Sequence, residues 1–208
     1  MDRRAISGLI VAMLIAGCAT PADVAPDGAK PLDVLIIQAA GTPVKEKVTA
    51  RNVDAVSCPT PAAVNCRTLA EQTAAALGAK GLGARVAAAG SVTDRNEILG
   101  ARLVVLASPS YFANVSWKMH KMFDDVFFQI HVLGGDRLGG KPFAVLIMGN
   151  SEPKCAKSVE AAAGIVKACD GSPGPSTIVL GDDSDDQIKQ KIATFTDQIA
   201  ATLSQASK

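Results

Sequence analysis

Short apolar runs alternate with longer amphipathic segments along residues 32–208. The first run, Leu32–Gln38, is almost continuously apolar, which favours a strand buried on both faces. Four further runs have the same character: Ala84–Ala89, Arg102–Ala107, Phe143–Met148 and Thr177–Leu180. Because these strands alternate with helical segments, the pattern predicts one α/β domain, a five-stranded parallel sheet covered by helices on both sides.

Helical periodicity fills the intervals between the apolar runs. The alanine-rich segment Thr68–Leu77 and the segment after the third run both place apolar residues three and four positions apart, as one face of a helix requires. A last helix is predicted to start at Ser184, because Gln187 follows three residues later in the arrangement of a capping box. The first two apolar stripes are Leu69, Ala70, Thr73 and Leu77, and Val115, Met119, Met122, Val126 and Ile130.

The amino terminus has the pattern of a secretory signal. Two arginines precede an apolar stretch of twelve residues, Ala5–Ala16, which is shorter than the roughly twenty residues of a transmembrane helix. The sequence Leu-Ile-Ala-Gly-Cys that ends at Cys18 resembles the bacterial lipobox. We therefore predict that residues 1–17 are a signal peptide and that Cys18 is lipidated. The alternative is an ordinary cleaved signal with an incidental cysteine.

The lipobox resemblance implies a location. A lipidated Cys18 would tether the protein to the periplasmic face of the cell envelope, and Ala19 in place of Asp favours the outer membrane. Residues 18–31 contain several prolines and glycines without an apolar period, and are predicted to form the lipidated cysteine and a flexible tether. The domain proper is then predicted to span residues 32–208.

Composition excludes some classes of function. The net charge is +1 and no basic block is present, so a nucleic acid is not an expected partner. No His and Cys cluster has the spacing of metal ligands, and no metal site is predicted.

Four cysteines follow Cys18, an even number that favours two disulfides in an oxidising compartment. The sequence permits three connectivities. We favour Cys58–Cys66, which would close a short loop. Cys155 and Cys169 would be too far apart if residues 157–168 are helical, because a helix rises about 1.5 Å per residue.

Two stretches carry a resemblance to a known family. Residues 107–119 read Ala-Ser-Pro-Ser-Tyr-Phe-Ala-Asn-Val-Ser-Trp-Lys-Met, and residues 138–150 contain Leu-Gly-Gly-Lys-Pro before an apolar run. They resemble the flavodoxin-like quinone reductases and FMN reductases at the end of the third strand and at the start of the fourth. The matching positions are Ser108, Pro109, Tyr111, Phe112, Asn114, Ser116 and Met119 in the first stretch, and Asp124 five residues after it.

This resemblance implies a flavodoxin-like three-layer sandwich with strand order 2-1-3-4-5 and FMN as the cofactor. In that family the loops after the third and fourth strands bracket the isoalloxazine ring, and the flavin carries the redox chemistry, so no catalytic side chain is assigned. The cofactor-binding residues carried over are Ser108, Pro109, Tyr111, Phe112 and Asn114, with Gly149, Asn150 and Ser151 as weaker matches.

The chain departs from the family at the phosphate site. A Ser/Thr-rich turn usually joins the first strand directly to the first helix, with its N–H groups aimed at the phosphate. Here about twenty extra residues intervene, an unusual loop length. Asn65 fits the family, but Val64 replaces a glycine and Cys66 replaces a threonine. Residues 41–43, Gly-Thr-Pro, are an alternative cradle.

Two functions compete at this point. The first is an FMN-binding, quinone-reductase-like oxidoreductase whose partner is a quinone-like or other small redox acceptor, with a membrane contact through the lipid; a homo-oligomer is compatible with it. Its cytoplasmic relatives are NAD(P)H:quinone reductases that take hydride from NAD(P)H; because a periplasmic location does not readily supply that donor, the electron source is left open. The second is a cofactor-free lipoprotein that serves as an envelope binding or scaffold module. A thiol-redox role is a weaker third, since no Cys-x-x-Cys spacing is present.

Overall fold

The sheet is organised around β1, whose first four residues are completely buried. The computed structural model describes residues 32–39, 65–133 and 138–206. In these ranges the strands are β1 (Val34–Gln38), β2 (Ala84–Ala88), β3 (Leu103–Tyr111), β4 (Asn114–Val115), β5 (Pro142–Gly149) and β6 (Ser172–Leu180). Five are parallel in the order β2-β1-β3-β5-β6, and the short β4 pairs antiparallel with the end of β3. With β4 set aside, this is the order 2-1-3-4-5, and the predicted fold class is confirmed.

Helices cover both faces of the sheet. They are α1 (Cys66–Ala79), α2 (Arg95–Gly100), α3 (Trp117–Met122), α4 (Glu152–Ala168) and α5 (Asp185–Gln205). Alternate residues of β1 point to opposite layers: Val34 and Ile36 pack in the core with α1 and α5, whereas Leu35 and Ile37 pack with α2, α3 and α4. Complete burial of such a side chain contributes about 1.5–3 kcal/mol. This is why β1 has no polar face.

The predicted helical stripes are buried as expected. Leu69, Ala70, Thr73 and Leu77 form the inner face of α1. The longer stripe from Val115 to Ile130 is also buried, although α3 continues as π-helical turns over Phe123–Phe127 and Gln129–Leu133. The capping box of α5 is formed, because Ser184 Oγ accepts a bond from the Gln187 N–H and the Gln187 side chain accepts one from the Ser184 N–H.

Several elements differ from the prediction. β3 continues to Tyr111 because β4 pairs with it, and the sequence alone gave no sign of that hairpin. β6 starts at Ser172, five residues before the predicted strand. It contains Pro173 and Pro175, which a strand at the edge of a sheet tolerates because one row of its N–H groups has no ladder partner. The short helix α2 was not predicted.

The cysteines require a correction. Among the described residues, Cys66, Cys155 and Cys169 are free and buried thiols. Cys66 is the first residue of α1, and its side chain is in the core under β1 rather than directed to a partner cysteine. The expected Cys58–Cys66 disulfide is therefore not supported; Cys58 itself is outside the described residues. Cys155 lies near the start of α4 and Cys169 at its end, as the argument from helix length required.

Other predictions concern parts of the chain that the structure does not describe. The signal peptide, Cys18, the tether and residues 41–43 are all outside the described ranges. Among the described helices, none combines the length and the apolarity needed to cross a bilayer.

Candidate functional site

The β3–β4 hairpin presents two aromatic side chains at the carboxyl end of the sheet. Ser110 pairs with Val115 and Tyr111 with Asn114, which leaves Phe112 and Ala113 as a two-residue turn. Their φ angles are 51° and 62°, as a type I′ turn demands of both central residues. The left-handed conformation costs a residue other than glycine about 1–2 kcal/mol. The turn thereby holds the Phe112 ring fully exposed, next to Tyr111, which is 47% exposed.

Three of the predicted cofactor residues, Ser108, Pro109 and Asn114, belong to this hairpin and its strand. Ser108 is fully buried; its Oγ accepts a hydrogen bond of 2.9 Å from the Ser116 N–H and donates one of 2.9 Å to the Pro109 carbonyl. Pro109 is buried in β3. Asn114 Oδ1 accepts a bond of 2.9 Å from the Val115 N–H. Because Ser108 and Pro109 are buried, they can affect a ligand only through the position of the backbone, whereas Asn114 is exposed beside the turn.

Four of the five remaining predicted residues line a cavity of about 520 Å³. Tyr111 and Phe112 border it from the hairpin, and Asn150 and Ser151 border it from the start of α4. The volume lies within the roughly 300–1,000 Å³ that is usual for small-molecule sites. The structure thus brings together the two loops that the sequence singled out. It adds three lining residues that sequence reasoning missed: Ser110, Lys154 and Cys155.

Gly149 is required by the packing beneath this cavity. A Cβ atom at this position would lie 2.6 Å from Cys155 Sγ and 3.2 Å from Ser110 Cβ. Only glycine lets the end of β5 approach α4 so closely. Ser110 Oγ is also hydrogen bonded to Ser158 Oγ at 2.8 Å, which joins β3 to α4. The helical spacing of the buried Cys155, Ser158, Ala162 and Val166 is the signal that would have placed Cys155 on this face.

The cavity contains a neutral thiol close to a lysine and to the N-terminus of a long helix. Burial raises the pKa of Cys155; hydrogen bonds with the Ser151 backbone and the Ser110 side chain are smaller opposing effects, and the Glu152 charge adds to the rise. A protonated thiol is a poor nucleophile at neutral pH. Lys154 is exposed at the start of the seventeen-residue helix α4, whose N-terminus carries partial positive charge.

The start of α1 is the second part of the candidate site. Asn65 caps the helix, because its Oδ1 accepts a bond of 2.9 Å from the Thr68 N–H. Cys66 stands where the resembling family has a threonine hydroxyl, and it hydrogen bonds with the backbone of Ala39, directly after β1. Burial raises the pKa of the Cys66 thiol to about 12. At this helix start the chain therefore has a buried thiol where the resembling family has a hydroxyl.

Comparisons with known proteins agree on the architecture. No protein-family model and no curated protein matches the sequence. A flavodoxin from Streptococcus pneumoniae TIGR4 superposes with a TM-score of 0.57 at 18% identity, over 81% of this chain and 98% of that one. The chain has the flavodoxin fold.

Two further solved structures share the flavodoxin fold. A flavodoxin, WrbA-like protein from Agrobacterium tumefaciens has a TM-score of 0.59 at 10% identity, over 83% of this chain and 98% of that one. RosB, solved with bound 8-demethyl-8-formylriboflavin-5′-phosphate, has a TM-score of 0.60 at 14% identity, over 85% of this chain and 80% of that one. At these identities the likeness is one of fold.

Proposed function

We propose that this chain binds FMN between the β3–β4 hairpin and the start of α4 and transfers electrons in the manner of the quinone reductases, on the periplasmic face of the envelope. The observation that carries the proposal is the cavity of about 520 Å³ between the two loops that match the FMN reductases. When bound, the flavin supplies the redox chemistry.

The residues around the cavity fit a planar tricyclic ring. Tyr111 and Phe112 offer aromatic faces at its border, and aromatic groups stack favourably on such faces. Gly149 draws β5 against α4, which places the backbone of Asn150 and Ser151 at the opposite border. The solved structure of RosB contains a riboflavin-5′-phosphate derivative on the same fold, which supports a flavin as the class of ligand.

The protein's own part in this function is to bind, orient and shield. Cys155 stays protonated, so it supplies packing rather than a nucleophile. Lys154 lines the cavity and the N-terminus of α4 carries partial positive charge, while Glu152 in the first turn of α4 is an opposing negative charge. The exposed Phe112 ring can lie against a bound ring and exclude water from one side. A quinone-like or other small acceptor would approach from the open side, and lipidated Cys18 would hold the cavity near the membrane.

Flavin titration of the full chain tests this proposal. We expect saturable quenching of FMN fluorescence, with Tyr111→Ala and Phe112→Ala each weakening the affinity up to about tenfold, the worth of an aromatic stacking contact. Phe128→Ala is the matched control, because Phe128 is also an exposed aromatic but does not border the cavity. Unchanged FMN fluorescence, or an equal effect of all three substitutions, would count against the proposal.

A second candidate function follows from the start of α1. The hydroxyl expected at the phosphate is replaced by the buried Cys66 thiol, which is compatible with a flavodoxin-fold lipoprotein that serves as a binding or scaffold module without a cofactor. This alternative predicts that FMN leaves the melting temperature unchanged. A ligand that binds only the folded state raises it by mass action, so a rise that grows with FMN concentration would eliminate the alternative.

A further inference from the structure

We propose that the outer edge of β6 is a peptide-binding site, at which an extended segment with one basic side chain adds to the sheet as a further strand. Within the described ranges, β6 lies at the end of the sheet and pairs with β5 alone. Two clefts of about 400 and 320 Å³ lie along this edge, and both are lined by Ser176 and Thr177. They share no lining residue with the cavity at the hairpin, so the inference does not rest on the binding of FMN.

The second half of β6 turns backbone groups away from the sheet. In a parallel ladder, alternate residues of a strand direct their N–H and C=O groups to opposite sides. The Gly181 N–H donates to the Gly149 carbonyl at the end of β5. By this alternation Leu180, Ile178 and Ser176 face outward, since they pair with β5 in one continuous register after the irregularity near the start of β6.

Both ends of this edge are closed. Pro173 and Pro175 remove two N–H donors from the first half of β6, a device by which edge strands avoid pairing with another chain. At the other end, the Leu180 N–H donates to Asp183 Oδ2 at 2.7 Å. The outward groups between these closed ends remain available, which limits an added strand to a short segment.

The larger cleft offers uncharged polar groups on the α5 side of the edge. One face of α5 lines it with amide and hydroxyl side chains: Gln187, Gln190, Thr194 and Gln198. Lys191 lines both clefts, but its Nζ pairs with Asp183 Oδ2 at 2.6 Å. This side of the edge therefore matches the uncharged polar side chains of an added strand.

The smaller cleft combines an apolar wall with one carboxylate. Ile178 and Leu180 line it and pack against the core on the α4 side of the sheet. Glu152, at the start of α4, also lines it; its side chain is exposed and has no ion-pair partner among the described residues. A lysine or arginine can lay its apolar stem along such a wall and keep its charge beside the carboxylate.

Two clefts on opposite sides of one strand edge are the arrangement that strand addition requires. Successive side chains of an extended segment point to opposite faces of the sheet. Backbone hydrogen bonds to the edge give such a segment its affinity, and the pockets for alternate side chains give it specificity. The site therefore selects a segment with uncharged polar residues on its α5 side and a basic residue among apolar ones on its α4 side.

The backbone amides of Ser176 and Ile178 report on this edge directly. In ¹⁵N–¹H correlation spectra of the full chain, they can be followed as the peptide Ac-Thr-Val-Thr-Lys-Thr-Val-NH₂ is added. We expect both signals to shift saturably. Glu152→Gln should weaken the affinity up to about fivefold, the most that an exposed ion pair supplies. Ser176→Pro should weaken it about two- to tenfold, because one edge donor is lost.

Two controls separate strand addition from general attraction. The same peptide can be N-methylated either on its threonines or on its valines and lysine; one form should bind like the parent and the other should lose binding, because only alternate N–H groups of an added strand face β6. Glu160→Gln is the matched control for Glu152→Gln, since Glu160 is an exposed residue of α4 that lines neither cleft. It should leave the affinity unchanged.

The proposal is overturned if the Ser176 and Ile178 signals do not shift saturably, if both methylated peptides bind equally, or if Glu160→Gln weakens binding as much as Glu152→Gln. Shifts of the same two signals that grow with protein concentration in the absence of peptide would also overturn it, because they would assign the edge to a second copy of the chain.

Discussion

The two ends of the candidate flavin site are built in different ways. At the hairpin, a strained turn exposes two aromatic side chains, and a glycine without room for a Cβ brings the opposite border close. At the start of α1, the described residues are Asn65, used as a cap, and Cys66, buried in the core. The hairpin exposes aromatic side chains that a ligand could contact, whereas the α1 residues cap the helix and pack in the core. The resemblance to the FMN reductases is accordingly strongest where the ring would lie.

The hairpin and the start of α1 have different physical roles. Strain at Phe112 persists because the hairpin hydrogen bonds and the buried Ser108 fix the turn; strained residues held in this way often belong to functional sites. The backbone of Cys66 is not strained in this way, and its side chain is held by burial in the core. Substitutions at the hairpin should therefore change ligand binding, and substitutions at Cys66 should mainly change stability.

The largest effect is expected at Gly149. Gly149→Ala should lower the free energy of unfolding by about 1–3 kcal/mol, the usual cost of overpacking, because the new Cβ would lie 2.6 Å from Cys155 Sγ. FMN binding should weaken with it. Urea denaturation measures the change. Gly164→Ala is the control, since its Cβ would meet no atom within 4 Å in the middle of α4; there alanine should stabilise by up to about 1 kcal/mol. Equal losses for the two variants would contradict the packing argument.

Ser108→Ala should produce the next largest loss. Removal of the hydroxyl leaves the buried Ser116 N–H without the acceptor it has now, and an unsatisfied buried donor costs about 1–3 kcal/mol. Ser91→Ala, which removes a bond between an exposed hydroxyl and the Ala88 carbonyl, should cost much less. Thermal and urea denaturation measure the loss of unfolding free energy in the two variants. Similar losses for both would show that Ser108 does not hold the hairpin.

The burial of Cys66 at the start of α1 should make the free energy of unfolding depend on pH in the alkaline range. Burial raises the pKa of Cys66 from its usual 9.0 to about 12 in the folded chain. The folded state therefore keeps a proton that the unfolded state loses, and the stabilisation is complete below pH 9 and declines as the pH approaches 12. The slope is at most about 1.4 kcal/mol per pH unit. Denaturation at several pH values should show a shallower decline for Cys66→Ala; identical pH profiles would mean that Cys66 is not buried as described.

The smallest effect is expected at the turn itself. Ala113→Gly should stabilise the chain by up to about 1 kcal/mol, because its φ of 62° suits glycine. The Phe112 ring is kept, so FMN affinity should not fall. Ala75→Gly is the matched control: Ala75 lies in the exposed interior of α1, where glycine costs about 0.5–1 kcal/mol. Destabilisation by both variants would argue against the left-handed turn.

Much of this fold could be predicted from the sequence, because burial on both sides makes the first four positions of β1 apolar and the helical stripes keep their period. Two residues explain what could not be predicted. Phe112 lies in a turn that normally selects Asn-Gly, so the hairpin gave no turn signal. The spacing of Cys58 and Cys66 predicts a disulfide that closes a short loop, but the helix that begins at Cys66 turns its side chain to the core. The local sequence pattern predicts where helices and strands form. The direction in which a residue at the end of a helix or strand points depends on tertiary packing.

Hydrogen exchange of the full chain, with and without FMN, tests the central claim most directly. If FMN binds between the hairpin and α4, the backbone amides of residues 110–116 and 149–155 should exchange more slowly when FMN is present, and those of the edge strand β6 should not change. Equal exchange with and without FMN at saturating concentration, or protection confined to regions away from these two segments, would contradict the account.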